Sequence, residues 1–296
     1  MVNIDLKGMG VALATPFKED ESVDMDALLR LVEHQVQHGT DYLVALGTTA
    51  ETPTLTEEEK KEIVREVVAQ VRRRIPVVLG VSGNCTREVV KKLAHDDYSG
   101  IDAILSVVPY YNKPSQEGIY RHYRAIAEVA PRPVILYNVP GRTGVNMTAE
   151  TALRIAREFE HVVAVKEASG NFAQINDIIK NKPPHFEVIS GDDGITFPLI
   201  ALGAAGVISV IGNALPAEFG RMVRLTLAGD YESARVIHSR FVELIELLFV
   251  DGSPAGLKSL LHLMGFTENR LRLPLVSARI STTEKIRDVL QRLSIQ

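Results

Sequence analysis

The spacing of short apolar runs constrains this chain more than any other feature. Eight of them recur: VALAT (11–15), DYLVALG (41–47), IPVVLGV (75–81), IDAILSVV (101–108), RPVILYN (132–138), HVVAVK (161–166), FEVIS (186–190) and AAGVISV (204–210). They are rich in Val, Ile and Leu and do not alternate polar with apolar residues, as expected of parallel strands covered on both faces. Between them lie stretches with helical periodicity. Thr56-Glu57-Glu58-Glu59 reads as a capping box with acids in the first turn, followed by apolar residues at helical spacing through Val71. Asp24, Thr86, Ser115, Thr148 and Asn171 are further N-caps. This alternation predicts an α/β fold, a (β/α)8 TIM barrel over residues 1–225. An open sheet of six or seven strands is the rival. The glycine fingerprint of a dinucleotide-binding half is missing: Gly8-Met9-Gly10 precedes the first predicted strand, and Gly203-Ala204-Ala205-Gly206 leads into one.

After about residue 213 the strand signal stops, and 216–228, 230–248, 254–264 and 282–294 all read as helix. The first completes the barrel. Residues 226–296 are expected to form a small C-terminal helical domain. With 46% hydrophobic residues in a chain of 296, a sizeable core can form. A net charge of -4 offers no basic patch for nucleic acid. The single cysteine, Cys85, excludes an intrachain disulfide framework and a multi-cysteine metal site. No apolar run approaches the ~20 residues that span a bilayer. The N-terminus lacks the basic and apolar segments of a secretory signal. A cytoplasmic protein without nucleic-acid or membrane partners is the expectation.

In such a barrel, chemistry sits where strands end and βα loops begin. Those positions are Thr15-Pro16, Gly47-Thr48-Thr49, Ser82-Gly83, Pro109-Tyr110-Tyr111, Tyr137-Asn138, Lys166-Glu167, Gly191-Asp192 and Ser209. They hold hydroxyls, phenols, glycines and one lysine, but no histidine. That argues against metal chemistry, and no Gly-x-Ser-x-Gly elbow points to a serine nucleophile.

Lys166 stands out because an ammonium group ends an apolar run. One reading is a structural ion pair with Glu167, or a lysine that snorkels to water. The other is a desolvated lysine of lowered pKa that attacks a ketone as the free amine. The neighbouring strand ends favour the second: Tyr137 on one side could pass a proton, and Gly191 on the other leaves room for a ligand. Thr48 and Thr49 read either as a turn cap or as donors to a small carboxylate. Arg142, in a Pro/Gly-shaped loop, reads either as a solvated charge or as a fork for a second carboxylate.

These stretches together resemble a known family. Gly47-Thr48-Thr49-Ala50-Glu51, Pro109-Tyr110-Tyr111-Asn112-Lys113-Pro114, Tyr137-Asn138-Val139-Pro140-Gly141-Arg142-Thr143-Gly144, Val165-Lys166-Glu167-Ala168-Ser169-Gly170 and Ser190-Gly191-Asp192-Asp193 are similar, in order and spacing, to the dihydrodipicolinate synthase family. This is a branch of the pyruvate-dependent class I aldolase and N-acetylneuraminate lyase superfamily. The resemblance covers nearly the whole chain. It implies condensation of pyruvate with L-aspartate 4-semialdehyde to 4-hydroxy-tetrahydrodipicolinate, in lysine and diaminopimelate synthesis. The alternatives are a related Schiff-base aldolase, such as N-acetylneuraminate lyase or a 2-keto-3-deoxy-sugar-acid aldolase, and a non-catalytic pyruvate-binding barrel.

Carried over residue by residue, the resemblance makes Lys166 the Schiff-base lysine and Tyr137 the proton shuttle. Thr48 bridges Tyr137 to Tyr111, which reaches into a neighbouring subunit's site. Thr49 holds the pyruvate carboxylate, Arg142 binds the semialdehyde carboxylate, and the Gly191 and Ile208 carbonyls face the substrate. No metal or organic cofactor is implied, because the lysine supplies the electron sink. A homotetramer, a dimer of dimers, is implied.

The chain departs from the family pattern in two places. Ala50 stands where glycine is usual, and an allowed conformation is expected there. The family's lysine-feedback positions are Thr52, Glu57, Lys60, Asn84, Glu88 and Tyr110. Inhibited members typically carry histidine at position 57 or 60, so the extra ammonium of Lys60 implies weak or absent inhibition.

Overall fold

A computed structural model describes residues 4–295. Eight parallel strands close into a barrel in chain order, β1 pairing with β2 on one side and β8 on the other. They are β1 (Gly8–Ala12), β2 (Tyr42–Ala45), β3 (Val77–Gly80), β4 (Ala103–Val107), β5 (Val134–Asn138), β6 (Val162–Glu167), β7 (Glu187–Ser190) and β8 (Gly206–Ser209). Closure removes the open-sheet rival. The helices are α1 (Met25–Gln37), α2 (Glu57–Val71), α3 (Thr86–His95), α4 (Gln116–Ala127), α5 (Pro140–Thr143), α6 (Ala149–Glu158), α7 (Phe172–Asn181), α8 (Thr196–Ala201), α9 (Pro216–Leu227), α10 (Tyr231–Leu247), α11 (Ala255–Leu263) and α12 (Ile280–Arg292).

Two apolar layers follow from the alternation of side chains along each strand. Tyr42, Val78, Leu105, Ile135, Ala164 and Ile208 point into the barrel. Val11, Leu43, Ile104, Leu136, Val165 and Val207 point outward and pack beneath the helices. Burying each such side chain contributes about 1.5–3 kcal/mol.

The predicted helix starts are met at Asp24, Ser115, Thr148 and Asn171, whose side chains accept from backbone amides, and at the complete Thr56–Glu59 capping box. Thr86 differs. Cys85 is the residue before α3, and the Thr86 hydroxyl lies 2.9 Å from His122 Nδ1 instead of capping.

The first strand also differs. Gly8-Met9-Gly10 do not precede it but form its first half. A side chain at Gly10 would occupy the space of the ring of Tyr42, its register partner on the neighbouring strand β2. The glycine is therefore a packing requirement inside a strand, although its composition reads as a break.

After α9 the chain forms α10, the almost wholly buried α11, and α12. An irregular stretch between α11 and α12 returns to the barrel mouth. There the Arg272 guanidinium bonds both oxygens of Glu59 and the Thr54 carbonyl. No helix among the described residues is long and apolar enough to cross a membrane.

Candidate active site

Register and alternation position the candidate lysine. Tyr137 on β5 is level with Lys166 on β6, and Lys166 with Ile189 on β7. Ala164 and Lys166 point into the barrel, whereas Val165 and Glu167 point out. Lys166 is 5% exposed, so it does not snorkel to water. Its Nζ lies 4.5 Å from the centre of the Tyr137 ring.

Glu167 is not its partner. Its carboxylate accepts from Asn138 Nδ2 at 2.5 Å, Gln174 Nε2 at 2.9 Å and the Ser169 amide at 3.1 Å. Among the described residues, no carboxylate lies within 4.0 Å of the Lys166 Nζ. The ion-pair reading of Lys166 is thereby removed, and an isolated amine faces the lumen beside a phenol.

Gly191 follows β7 and touches the same lysine. A Cβ there would stand 3.1 Å from Lys166 Cε and 2.7 Å from Ala168 Cβ. Any side chain at position 191 would therefore press on the lysine. Ile208, 1% exposed, belongs to the same inner layer as Tyr137 and Ile189.

Thr48 and Thr49 lie in a short 3₁₀ turn, Thr48–Ala50, beyond β2. Thr49 is buried and Thr48 exposed. Ala50 accepts a hydrogen bond from the Thr15 hydroxyl at 2.9 Å. The left-handed residues of this loop are Leu46 and Glu51, both at φ 53, so Ala50 sits in an allowed conformation as expected.

Arg142 lies in the last turn of α5, exposed, and its Nη2 donates to the Ser253 carbonyl at 3.1 Å. Tyr111 stands apart from this group. It is 88% exposed, with φ 72. Among the described residues, no hydrogen bond joins Thr48 to Tyr137 or to Tyr111. Within one chain the structure thus brings together Lys166, Tyr137, Gly191 and Ile208, and leaves Tyr111 outside.

The six feedback positions are spread over α2, α3 and the loops beside them. Thr52 donates to the Leu46 and Gly47 carbonyls. Glu57 pairs with Lys60 at 2.8 Å and Lys92 at 2.9 Å, and hydrogen bonds from these two ammonium groups hold its carboxyl at about 2. The Asn84 carbonyl accepts from Asn112 Nδ2, Glu88 lies exposed in the first turn of α3, and Tyr110 is 40% exposed.

Two buried charged sites were not singled out in the sequence. Lys258 on α11 is 1% exposed and pairs with the buried Glu51 at 2.5 Å. Its Nζ also donates to the Arg270 carbonyl at 2.7 Å and lies 4.0 Å from the centre of the Phe17 ring. Burial pulls its pKa down to about 8, with the Glu51 charge opposing. The signal was present: a lysine inside the apolar stretch Gly256-Leu257-Lys258-Ser259-Leu260-Leu261. Asp193 is the second. Its Oδ2 accepts from the Val210 and Ile211 amides at 2.9 and 2.8 Å, its Oδ1 has no hydrogen-bond partner among the described residues, and burial pushes its pKa up to about 6.

Comparison with known proteins identifies the family and supports the fold. Residues 5–293 match the model of the dihydrodipicolinate synthetase family. A relative from Parabacteroides distasonis, a 4-hydroxy-tetrahydrodipicolinate synthase, is 74% identical over 296 residues, 100% of both chains. The crystal structure of dihydrodipicolinate synthase from Thermotoga maritima superimposes with a TM-score of 0.96 at 40% identity, covering 99% of this chain and 100% of that one. A monomeric dihydrodipicolinate synthase variant superimposes with a TM-score of 0.95 at 40% identity, covering 98% and 97%.

Proposed function

The chain belongs to the dihydrodipicolinate synthetase family, and from that premise we infer that it condenses pyruvate with L-aspartate 4-semialdehyde. It is a lyase of lysine and diaminopimelate biosynthesis, and its product is 4-hydroxy-tetrahydrodipicolinate. The observation that carries the reading is Lys166: a buried amine at the end of β6, without a carboxylate partner among the described residues and 4.5 Å from the Tyr137 ring centre.

The reaction follows from that amine. Lys166 Nζ attacks the pyruvate ketone, and loss of water leaves an iminium carbon. The iminium accepts the electrons of a methyl C–H bond as its proton departs, giving an enamine. The enamine carbon attacks the aldehyde of the second substrate, and the resulting alkoxide takes up a proton. The substrate's own amine then adds to the iminium carbon, closing the ring and releasing Lys166. Tyr137 moves the protons at the carbinolamine and the aldehyde oxygen. Thr49, with the Thr48 backbone, holds the pyruvate carboxylate. Arg142 binds the semialdehyde carboxylate, and the Gly191 and Ile208 carbonyls face the bound substrate. The Thr48 hydroxyl links Tyr137 to a Tyr111 supplied by a second subunit.

Support for that last role is the phenol of Tyr111, held 88% exposed on a left-handed backbone and away from its own chain's lysine. The working assembly in this reading is a homotetramer, a dimer of dimers, in the cytoplasm. Residues 1–225 are its catalytic barrel and 226–296 its helical domain. Lysine feedback is weak or absent, because Lys60 and Lys92 already occupy the Glu57 carboxylate.

An assay with pyruvate and each candidate aldehyde tests the activity. Turnover with L-aspartate 4-semialdehyde and none with N-acetylmannosamine is expected, and the reverse would overturn the assignment. Millimolar lysine should leave the rate nearly unchanged.

A further inference from the structure

One segment of the C-terminal helices contacts both places where a substrate carboxylate is expected to sit. The Ser253 carbonyl accepts from Arg142 at 3.1 Å. Five residues later, the Lys258 ammonium is paired with Glu51 at 2.5 Å. Glu51 directly follows the Thr48–Ala50 turn and closes it, its amide donating to the Thr48 carbonyl at 3.2 Å. Its backbone is left-handed at φ 53, a conformation that costs a residue with a side chain and must be held by its surroundings.

The holding contacts are visible. One carboxylate oxygen meets Lys258, and the other accepts from the Arg272 amide at 3.1 Å. Lys258 is itself fixed by the Arg270 carbonyl and the Phe17 ring. A buried ion pair of this kind gains little net stability over well-packed apolar side chains. What it supplies is geometry, because a carboxylate buried at 1% exposure must keep its cation.

We propose that Lys258 is a positioning residue for pyruvate. By pinning Glu51 it sets the turn that presents Thr48 and Thr49, and so fixes the pocket for the pyruvate carboxylate without touching substrate. The proposal rests on the reading of Thr49 and the Thr48 backbone as the carboxylate donors.

The test is pyruvate titration with borohydride trapping, followed by mass spectrometry of Lys166, alongside steady-state kinetics. The proteins are the full chain, Lys258→Met, and the double variant Glu51→Gln/Lys258→Gln, which removes both buried charges and with them the ion pair that holds residue 51. In both variants the pyruvate concentration for half-maximal trapping, and KM for pyruvate, should rise on the order of 10-fold. Trapping at saturating pyruvate should still go to completion, kcat should change by less than about threefold, and KM for the semialdehyde by less than about twofold.

A folded variant with unchanged half-saturation would overturn the proposal. So would a parallel loss of kcat and of both KM values, or failure of both variants to fold, since the pair would then serve the fold alone. Absence of a Lys166 adduct in the unmodified protein would instead remove the proposed function on which this inference rests.

Discussion

Two lysines lie out of water among the described residues, and they have been treated differently by the chain. Lys258 has a carboxylate at 2.5 Å, a backbone carbonyl at 2.7 Å and an aromatic face at 4.0 Å. Lys166, nearly as buried, has the Tyr137 ring at 4.5 Å and no carboxylate. The burial is similar and the partners are opposite. A buried ammonium surrounded by acceptors stays a cation and holds structure. A buried lysine without them is committed to no structural partner and can face a substrate. What separates the two roles is the partner set, and burial alone does not identify a catalytic lysine.

The largest consequence concerns Lys166→Ala. Turnover should fall on the order of 10³-fold or more, with the denaturation midpoint nearly unchanged, because that side chain carries the reaction and has no carboxylate partner among the described residues. Lys258→Met should behave the opposite way in a denaturant titration. It leaves Glu51 buried without a cation and should cost about 3–5 kcal/mol of stability. Equal losses of stability in the two variants would erase the contrast.

Asp193 adds a buried charge with only half its oxygens satisfied. Burial raises its pKa from 3.8 to about 6 in the folded chain. Between those values the folded state holds the proton and the unfolded state releases it. Stability from this group is therefore fully present below about pH 4 and falls as pH rises to about 6. At 1.36 kcal/mol per unit the loss reaches roughly 3 kcal/mol. Asp193→Asn should flatten that slope when unfolding is followed at each pH, and an unchanged slope would remove Asp193 as its source. Smallest of the four is Tyr137→Phe. It keeps the ring beside Lys166 and removes only the phenol oxygen. Turnover should drop about 10²-fold while the pyruvate adduct still forms.

The barrel and one of the two lysines could be read from the sequence. The alternation of apolar runs and helices predicted the closed barrel, and the lysine ending the run at 161–166 singled out Lys166. The β1 boundary could not be read locally, because Gly10 is there to accommodate Tyr42 on a neighbouring strand. The Lys258–Glu51 pair joins the loop after β2 to α11, and no local pattern links the two. Lys258 nevertheless showed the same mark as Lys166, a charge inside an apolar stretch. Telling their roles apart required knowing which carboxylate faced which lysine. The outward turn of Glu167 depends on strand register and on Asn138 and Gln174, which lie outside its own strand.

A single experiment puts the two lysines side by side. The protein is incubated with pyruvate, reduced with borohydride and digested, and the modified residue is located by peptide mass spectrometry. The adduct should be found on Lys166, with Lys258 unmodified. An adduct on Lys258, or none on a folded protein, would contradict the assignment of the free amine at the end of β6 as the reacting group.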